Sequence, residues 1–224
     1  MNNIKTMMSS NSAEWATPDD LYKAVCQRLF DADSCDIDLA CTLENQKCNM
    51  GFHQPDAVRQ AEAEYFFSKS NPDDKASITK ARANYLYLQQ KSIDEIHTNI
   101  FEMEDQPITC WMNPPYGREL PMWMKLAWDL AHKSVNGFHH VKVACLVPAR
   151  TDTNWWWKYC APSHVTFLKG RVKFGGAETG APFPSAVILM SRLYDATTQY
   201  CQLGARGLTD DACSYKEWIG ESDR

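Results

Sequence analysis

The stretch Cys110 to Gly117, "CWMNPPYG", sets an amide, two prolines and an aromatic ring side by side. Neither proline donates a backbone hydrogen bond and each restricts the residue before it, so the turn is rigid and rich in acceptors. An amino group on a heteroaromatic ring is a poor nucleophile because its lone pair is delocalised into the ring. Two fixed acceptors, the Asn113 side-chain oxygen and the Pro114 carbonyl, would grip both of its hydrogens and favour a more tetrahedral nitrogen. That frees the lone pair to attack an electrophilic methyl group, while Tyr116 stacks on the ring and holds it in plane. Asn113, Pro114, Pro115 and Tyr116 are therefore the candidate catalytic residues. For a base inside duplex DNA this chemistry demands extrusion into a pocket. The plainer alternative is a rigid strand-to-loop turn with Tyr116 in the core.

The elements that must position this turn can be read on both sides of it. Thr17-Pro18-Asp19-Asp20 has the form of a helix start, with Thr17 as cap, and Leu21, Val25 and Leu29 carry helical spacing to about Phe30. "CDIDLA" reads as a short buried strand ending near Asp38. Residues 53–106 are polar and lack glycine, with helical stretches at about 56–68 and 74–98, the second carrying the stripe Ile78, Ala81, Tyr85 and Leu88. They have the character of a helical insertion. Beyond them "ITCWM" predicts a strand running into the Pro-Pro turn, and 121–133 a helix with Trp123, Ala127 and Leu130 inward. "VKVACLVPA" predicts a fully buried strand and "TDTNWWWKYC" a short capped helix. "HVTFLKGRVKF" and "SAVILMS" predict two closing strands around a Gly- and Pro-rich loop. Alternating strands and helices imply an α/β sheet that binds ligands beyond the carboxyl ends of its strands. Asp38 and Asn113 are expected at two such ends.

Composition bounds the partners. The 224 residues suffice for one domain with an insertion, and the net charge is −5. The charge is unevenly spread: residues 107–206 hold 11 Lys and Arg against 5 Asp and Glu, the remainder 12 against 23. A locally basic surface can bind phosphate in an acidic protein. Arg150 in "PARTDT", able to hold a phosphate or pair with Asp152, and Lys169, Arg171 and Lys173, alternating along one expected strand, are the candidate DNA contacts. The three tryptophans 155–157 cannot all face one side of a helix, so at least one should meet solvent or a partner. Nine cysteines without a C-x-x-C pair predict unpaired, mostly buried thiols, and no metal site is expected. No apolar run reaches the roughly 20 residues that span a bilayer, so a soluble, intracellular protein is expected.

Asn113-Pro114-Pro115-Tyr116 resembles the catalytic tetrapeptide of amino-methyltransferases acting on N6 of adenine. "EWATPDDLY" (14–22), "DIDLACTLENQKC" (36–48) and "VPARTDTNWWW" (147–157), continued by "KGRVKFGGAETGAPFPSAVIL" (169–189), are similar to the phage and prophage DNA N-6-adenine methyltransferases. The resemblance covers about 14–52 and 107–190. It implies a Rossmann-like methyltransferase fold, a mixed and mostly parallel sheet, with S-adenosylmethionine as donor and double-stranded DNA as partner. It further implies a role in protecting phage DNA from restriction. Under it the donor site is lined by Trp15, Thr17, Pro18, Asp38, Leu39, Ala40, Glu44, Asn45 and Asn113, with Asp38 receiving the donor's amino-acid part. The glycine-rich donor loop of many methyltransferases is missing, Gly51 being the first glycine, which makes Leu39 and Ala40 the residues of close approach.

Residues 1–13 are expected to form an arm, 14–204 the domain and 205–224 a tail, in a monomer or dimer. For the insertion, a lid or dimer surface built on the Ile78 stripe competes with DNA recognition through Asn84, Gln89 and Gln90. Methylation of an RNA base or a protein glutamine, and an inactive DNA-binding module, are the competing functions.

Overall fold

The computed structural model describes residues 16–53, 55–101, 108–132, 141–192 and 198–202; Trp15, the N-terminal arm and the C-terminal tail lie outside them. A mixed sheet of seven strands has the order β2-β1-β3-β4-β6-β5-β7. The strands are β1 (Ile37–Cys41), β2 (Met50–His53), β3 (Ile108–Met112), β4 (Val141–Pro148), β5 (His164–Lys169), β6 (Ser185–Met190) and β7 (Thr198–Gln202). β2, β1, β3 and β4 run parallel, β6 is antiparallel to both β4 and β5, and β7 is parallel to β5. The helices are α1 (Asp19–Phe30), α2 (Asp56–Ser68), α3 (Lys75–Phe101) and α4 (Leu120–His132).

The near-continuous apolar runs of β3 and β4 follow from burial on both faces. Successive residues point to opposite faces. Cys110, Met112, Val143, Cys145 and Val147 accordingly pack with α4 and with Ile93, Ile96 and Ile100 of α3. Trp111, Ala144 and Leu146 pack with Leu21, Tyr22, Val25 and Cys26 of α1. Tyr22 meets Trp111 edge to face at 5.5 Å, which seats α1 on β3.

The two helices expected in 53–106 are present, and their roles divide. Ile78, Ala81, Tyr85 and Leu88 pack against Val58, Ala61 and Tyr65 of α2, and Tyr65 stacks on Tyr85 with centroids 6.2 Å apart. That stripe packs inside the hairpin. The C-terminal part of α3 is a layer of the main core. Gln89, a sequence candidate for base reading, is fully buried, and Gln90 donates to Asp94 at 2.8 Å. Ile96→Ala is therefore expected to cost about 2–4 kcal/mol of stability. Exposed Tyr87→Ala on the same helix should stay within about 0.5 kcal/mol of wild type. Denaturant midpoints with unchanged slopes would measure both; equal effects would contradict this packing.

Four expectations need correction. Thr17 does not cap α1: Pro18 holds the N-cap position with no side-chain hydrogen bond, so Thr17 sits one residue too early. β1 does not end near Asp38 but runs on to Cys41. β5 stops at Lys169, because Gly170 takes φ 96° and turns the chain; Arg171 and Lys173 lie in the following loop and share no strand with Lys169. The short helix expected after β4 is present, mostly as a π-helical stretch, Trp156–Cys160, but the expected cap is not: its N-cap position, Trp155, makes no side-chain cap hydrogen bond. Cys26, Cys35, Cys41, Cys48, Cys110, Cys145 and Cys160 are buried free thiols, as the composition implies. β2 and β7 carry no clear sequence pattern and were not foreseen.

Candidate active site

β1 connects outward to β2, while β3 lies on its other side, so the β1/β3 boundary is where the direction of winding reverses. Ligands of open α/β sheets bind at such a reversal, beyond the carboxyl ends. Ile37 and Asp38 are level with Cys110 and Trp111, and pairing with β3 goes no further. Beyond Asp38 the two strands part, and Asn113 follows directly on the end of β3. The structure thus brings Asp38 and the Pro-Pro turn to the two sides of one gap.

Asn113 is half-buried and Pro114 buried. The Tyr116 hydroxyl donates to Asn113 Oδ1 at 2.6 Å and approaches the Leu146 carbonyl of β4 at 3.1 Å. The tyrosine therefore orients the amide, a role that sequence reasoning, which assigned it stacking alone, did not foresee. Its ring is met edge to face by Phe174 at 6.0 Å and Phe183 at 5.5 Å. Burial pushes its phenol well above the ordinary range, so it stays a donor at neutral pH.

Phe174 and Phe183 come from the Gly- and Pro-rich loop between β5 and β6, whose composition was visible but whose aromatic contacts were not. The loop is pinned three times. Ala181 N–H bonds the Val172 carbonyl at 2.8 Å, Ala149 N–H the Pro184 carbonyl at 2.9 Å, and Gly175 N–H the Ala16 carbonyl at 2.8 Å. A Cβ at Gly180 would stand 2.4 Å from Arg171 Cβ, so this fold-back needs glycine. The bond to Ala16 also lays the segment before α1 against the same loop.

Asp38 is 2% exposed. Its carboxylate accepts the Ala40 N–H at 3.3 Å and the Lys47 N–H at 3.1 Å. Burial outweighs these bonds and pushes its carboxyl up to about 6. The Lys47 ammonium pairs with Asp19 in the first turn of α1, so Lys47 joins the Asp38 loop to the segment holding Thr17. Sequence reading missed Lys47. Thr17 is buried, and its hydroxyl has no hydrogen-bond partner among the described residues.

The other candidates are placed as follows. Leu39 is buried in the core and Ala40 serves Asp38 through its backbone. Asn45 Oδ1 accepts the Thr42 N–H at 2.7 Å, shaping the loop. Glu44 is exposed, its carboxyl held below the usual range by its own backbone N–H and the Thr42 hydroxyl. Pro18 starts α1. Arg150, Lys169, Arg171 and Lys173 are all exposed, Arg150 just after β4, Lys169 at the end of β5, and Arg171 and Lys173 in the loop that follows it. Glu119, two residues after Gly117, is buried; burial raises its carboxyl, and Glu62 and Tyr85 interact with it electrostatically. The α2–α3 hairpin therefore abuts the Pro-Pro turn. Among the described residues no group of three or more His, Cys, Asp and Glu could hold a metal ion, and no helix is long and apolar enough to cross a membrane.

The model of one protein family, DNA N-6-adenine-methyltransferase (Dam), matches residues 79–200, more than half of the chain. The chain belongs to the Dam family. The Dam match takes in most of α3, the Pro-Pro turn, β4 and the loop carrying Phe174 and Phe183; Asp38 and Thr17 lie outside it. Compared with curated proteins, the sequence has no match. Among solved structures, one of the "ATP-dependent Type ISP restriction-modification enzyme LlaBIII bound to DNA" is similar over 88% of this chain. The identity is 11% and the TM-score 0.31, and this Dam-family chain spans 20% of that chain's length.

Proposed function

We propose that this protein transfers a methyl group from S-adenosylmethionine to N6 of an adenine extruded from double-stranded DNA. The observation that carries the reading is the Asn113–Tyr116 turn at the end of β3, which follows the level at which buried Asp38 of β1 pairs with Trp111, in a chain of the Dam family. The mostly parallel sheet with helices on both faces supports a Rossmann-like methyltransferase fold. A phage origin and protection of DNA from restriction rest on the sequence resemblance alone.

The residues present fit a donor carrying an ammonium and several hydroxyls. Asp38 supplies a buried carboxylate and Thr17 a buried hydroxyl with no hydrogen-bond partner among the described residues, an arrangement costly without a polar partner. Asp38, Leu39 and Ala40 would hold the amino-acid end, with Thr17, Pro18, Glu44 and Asn45 lining the remainder. When bound, S-adenosylmethionine supplies the electrophilic methyl group.

The chain's own part is to bind, orient and exclude water. The Asn113 oxygen and the Pro114 carbonyl accept from the adenine amine. Proline at 114 and 115 fixes those acceptors before the substrate arrives, which lowers the reorganisation needed at the moment of reaction. The Tyr116 hydroxyl, bridging Asn113 and Leu146, keeps the amide oxygen turned to the site, and its ring supports the base. Arg150, Lys169, Arg171 and Lys173 would meet DNA phosphates, which position the duplex without reading it.

The test is to incubate protein, duplex DNA and donor labelled in its methyl group, digest the DNA and separate the nucleosides. Label is expected in N6-methyladenine. Label confined to methylcytosine, RNA or protein would sink the reading.

A further inference from the structure

Pro114 and Pro115 stiffen the catalytic turn from within, and the Tyr116 hydroxyl ties its ring end to the Leu146 carbonyl. The backbone after Tyr116 is held by Glu119. Its carboxyl folds back over Gly117: a Cβ added there would stand 2.4 Å from Oε1, 2.5 Å from Oε2 and 2.7 Å from Cδ. Position 117 is thus glycine to make room for a carboxyl group. Glu119 is 5% exposed and stands directly before α4, its carbonyl accepting the Met122 and Trp123 N–H groups at 2.8 and 3.3 Å. A negative side chain suits that end of a helix. The Gly117 N–H and its own N–H favour the charged form, whereas burial opposes it.

The same carboxyl meets the hairpin. Tyr85 of α3 is buried, and its hydroxyl interacts with Glu119. Glu62 of α2, half-buried, acts on both groups from the neighbouring helix. Tyr85 is fixed in turn by its stack on Tyr65 and by packing with Val58 and Ala61. A chain of contacts therefore runs from the hairpin core through Tyr85 and Glu119 to the backbone that follows Tyr116. Burying a carboxyl beside a second carboxyl is costly. An exposed Ser, Thr, Asp or Asn would serve an ordinary helix start. Here the buried group stands at the base of the catalytic turn.

Resting on the adenine-methylation reading above, we infer that Glu119 is a positioning residue for methyl transfer: its carboxyl, resting on Gly117 and engaged by Tyr85, holds the backbone after Tyr116 so that Tyr116 and Asn113 keep their arrangement. It touches neither the adenine nor the donor. The hairpin's part in the reaction is to brace the turn through Tyr85. Misplacing a reacting or orienting group by about 1 Å can cost on the order of a hundredfold in rate, so a slackened turn shows in kcat and not in binding.

The experiment uses the full chain, duplex DNA and methyl-labelled donor, at a temperature where every variant is folded. Glu119→Ala is expected to lower kcat about tenfold, with KM for DNA and for donor within about twofold of wild type. Glu119→Gln keeps the shape and an acceptor oxygen, and should recover to within about threefold. Gly117→Ala pushes the carboxyl off the backbone, so it should lose about as much as Glu119→Ala. The double variant should lose no more than either, because both changes act on one contact. Ile96→Ala controls for stability: its thermal midpoint falls while its kcat stays within about twofold of wild type. Wild-type kcat in Glu119→Ala would overturn the inference. So would wild-type kcat in Gly117→Ala, which carries the test alone if Glu119→Ala does not fold. Losses that multiply in the double variant, or a fall of kcat in Ile96→Ala in step with its stability, would do the same. Wild type that methylates no adenine at all would instead overturn the proposed function.

Discussion

Asn113→Ala is expected to lower the rate of methyl transfer by about a thousandfold while leaving donor affinity within a few-fold of wild type. The amide oxygen is held by a 2.6 Å bond from Tyr116 and by the rigid prolines that follow it, and its proposed acceptor role has no substitute in the turn. Single-turnover rates and calorimetric titration of the donor measure the two halves separately. Tyr116→Phe sharpens the test. A ring that only stacked would survive loss of its hydroxyl, but the structure gives that hydroxyl both Asn113 and the Leu146 carbonyl as partners. Removing it should reduce the rate about tenfold, roughly the worth of one orienting hydrogen bond, with a smaller effect on DNA binding. Tyr116→Phe at the wild-type rate would return the residue to stacking alone. Asn113→Ala that lost the donor instead of the rate would reverse the assignment of the two sides of the gap.

Asp38→Ala should act on the donor, weakening its binding about ten- to a hundredfold, the scale of a charged hydrogen bond. The same carboxylate also organises its loop through Ala40 and Lys47, so a lowered thermal midpoint is expected alongside. pH separates the two effects. Burial places the Asp38 carboxyl at about 6 in the free protein, above the ordinary carboxylate value. A cationic amino group beside it stabilises the charged form, so binding the donor favours ionised Asp38. Affinity should therefore be full above about pH 6 and decline by up to tenfold per unit below it, with protons released on binding near pH 6. The sign for the free fold is opposite. A carboxyl raised on folding contributes stability below its unfolded value, and that contribution is lost as pH rises through 6. Titration of the donor between pH 5 and 8, in buffers of different ionisation enthalpy, reads the proton release directly. Affinity independent of pH in wild type, or full affinity in Asp38→Ala, would remove Asp38 from the donor site.

Much of this protein is written locally. The periods of apolar residues fix α1, both helices of 53–106, α4, and strands β1, β3, β4 and β6, because those patterns report which side of an element meets the core. The Pro-Pro turn is legible for the same reason: proline's restriction of the backbone belongs to the residue and not to its neighbours. What the sequence could not supply depends on contacts between distant segments. β2 is short and half-exposed, so no burial pattern marks it. The expected alternation of Lys169, Arg171 and Lys173 along one strand failed at Gly170, whose left-handed φ a period-two pattern does not reveal. Gln89 looked like a base-reading amide and is a core residue, because α3 is shared between the hairpin and the sheet. Tyr116 as the orienter of Asn113 required β4 to bring Leu146 alongside, and its enclosure by Phe174 and Phe183 required a loop some sixty residues further along the chain. Of three identical tryptophans, the sequence determined that they could not all be buried. Only the tertiary packing decided that Trp157 is the one left in solvent, because Phe167 of β5 offers its face to Trp156.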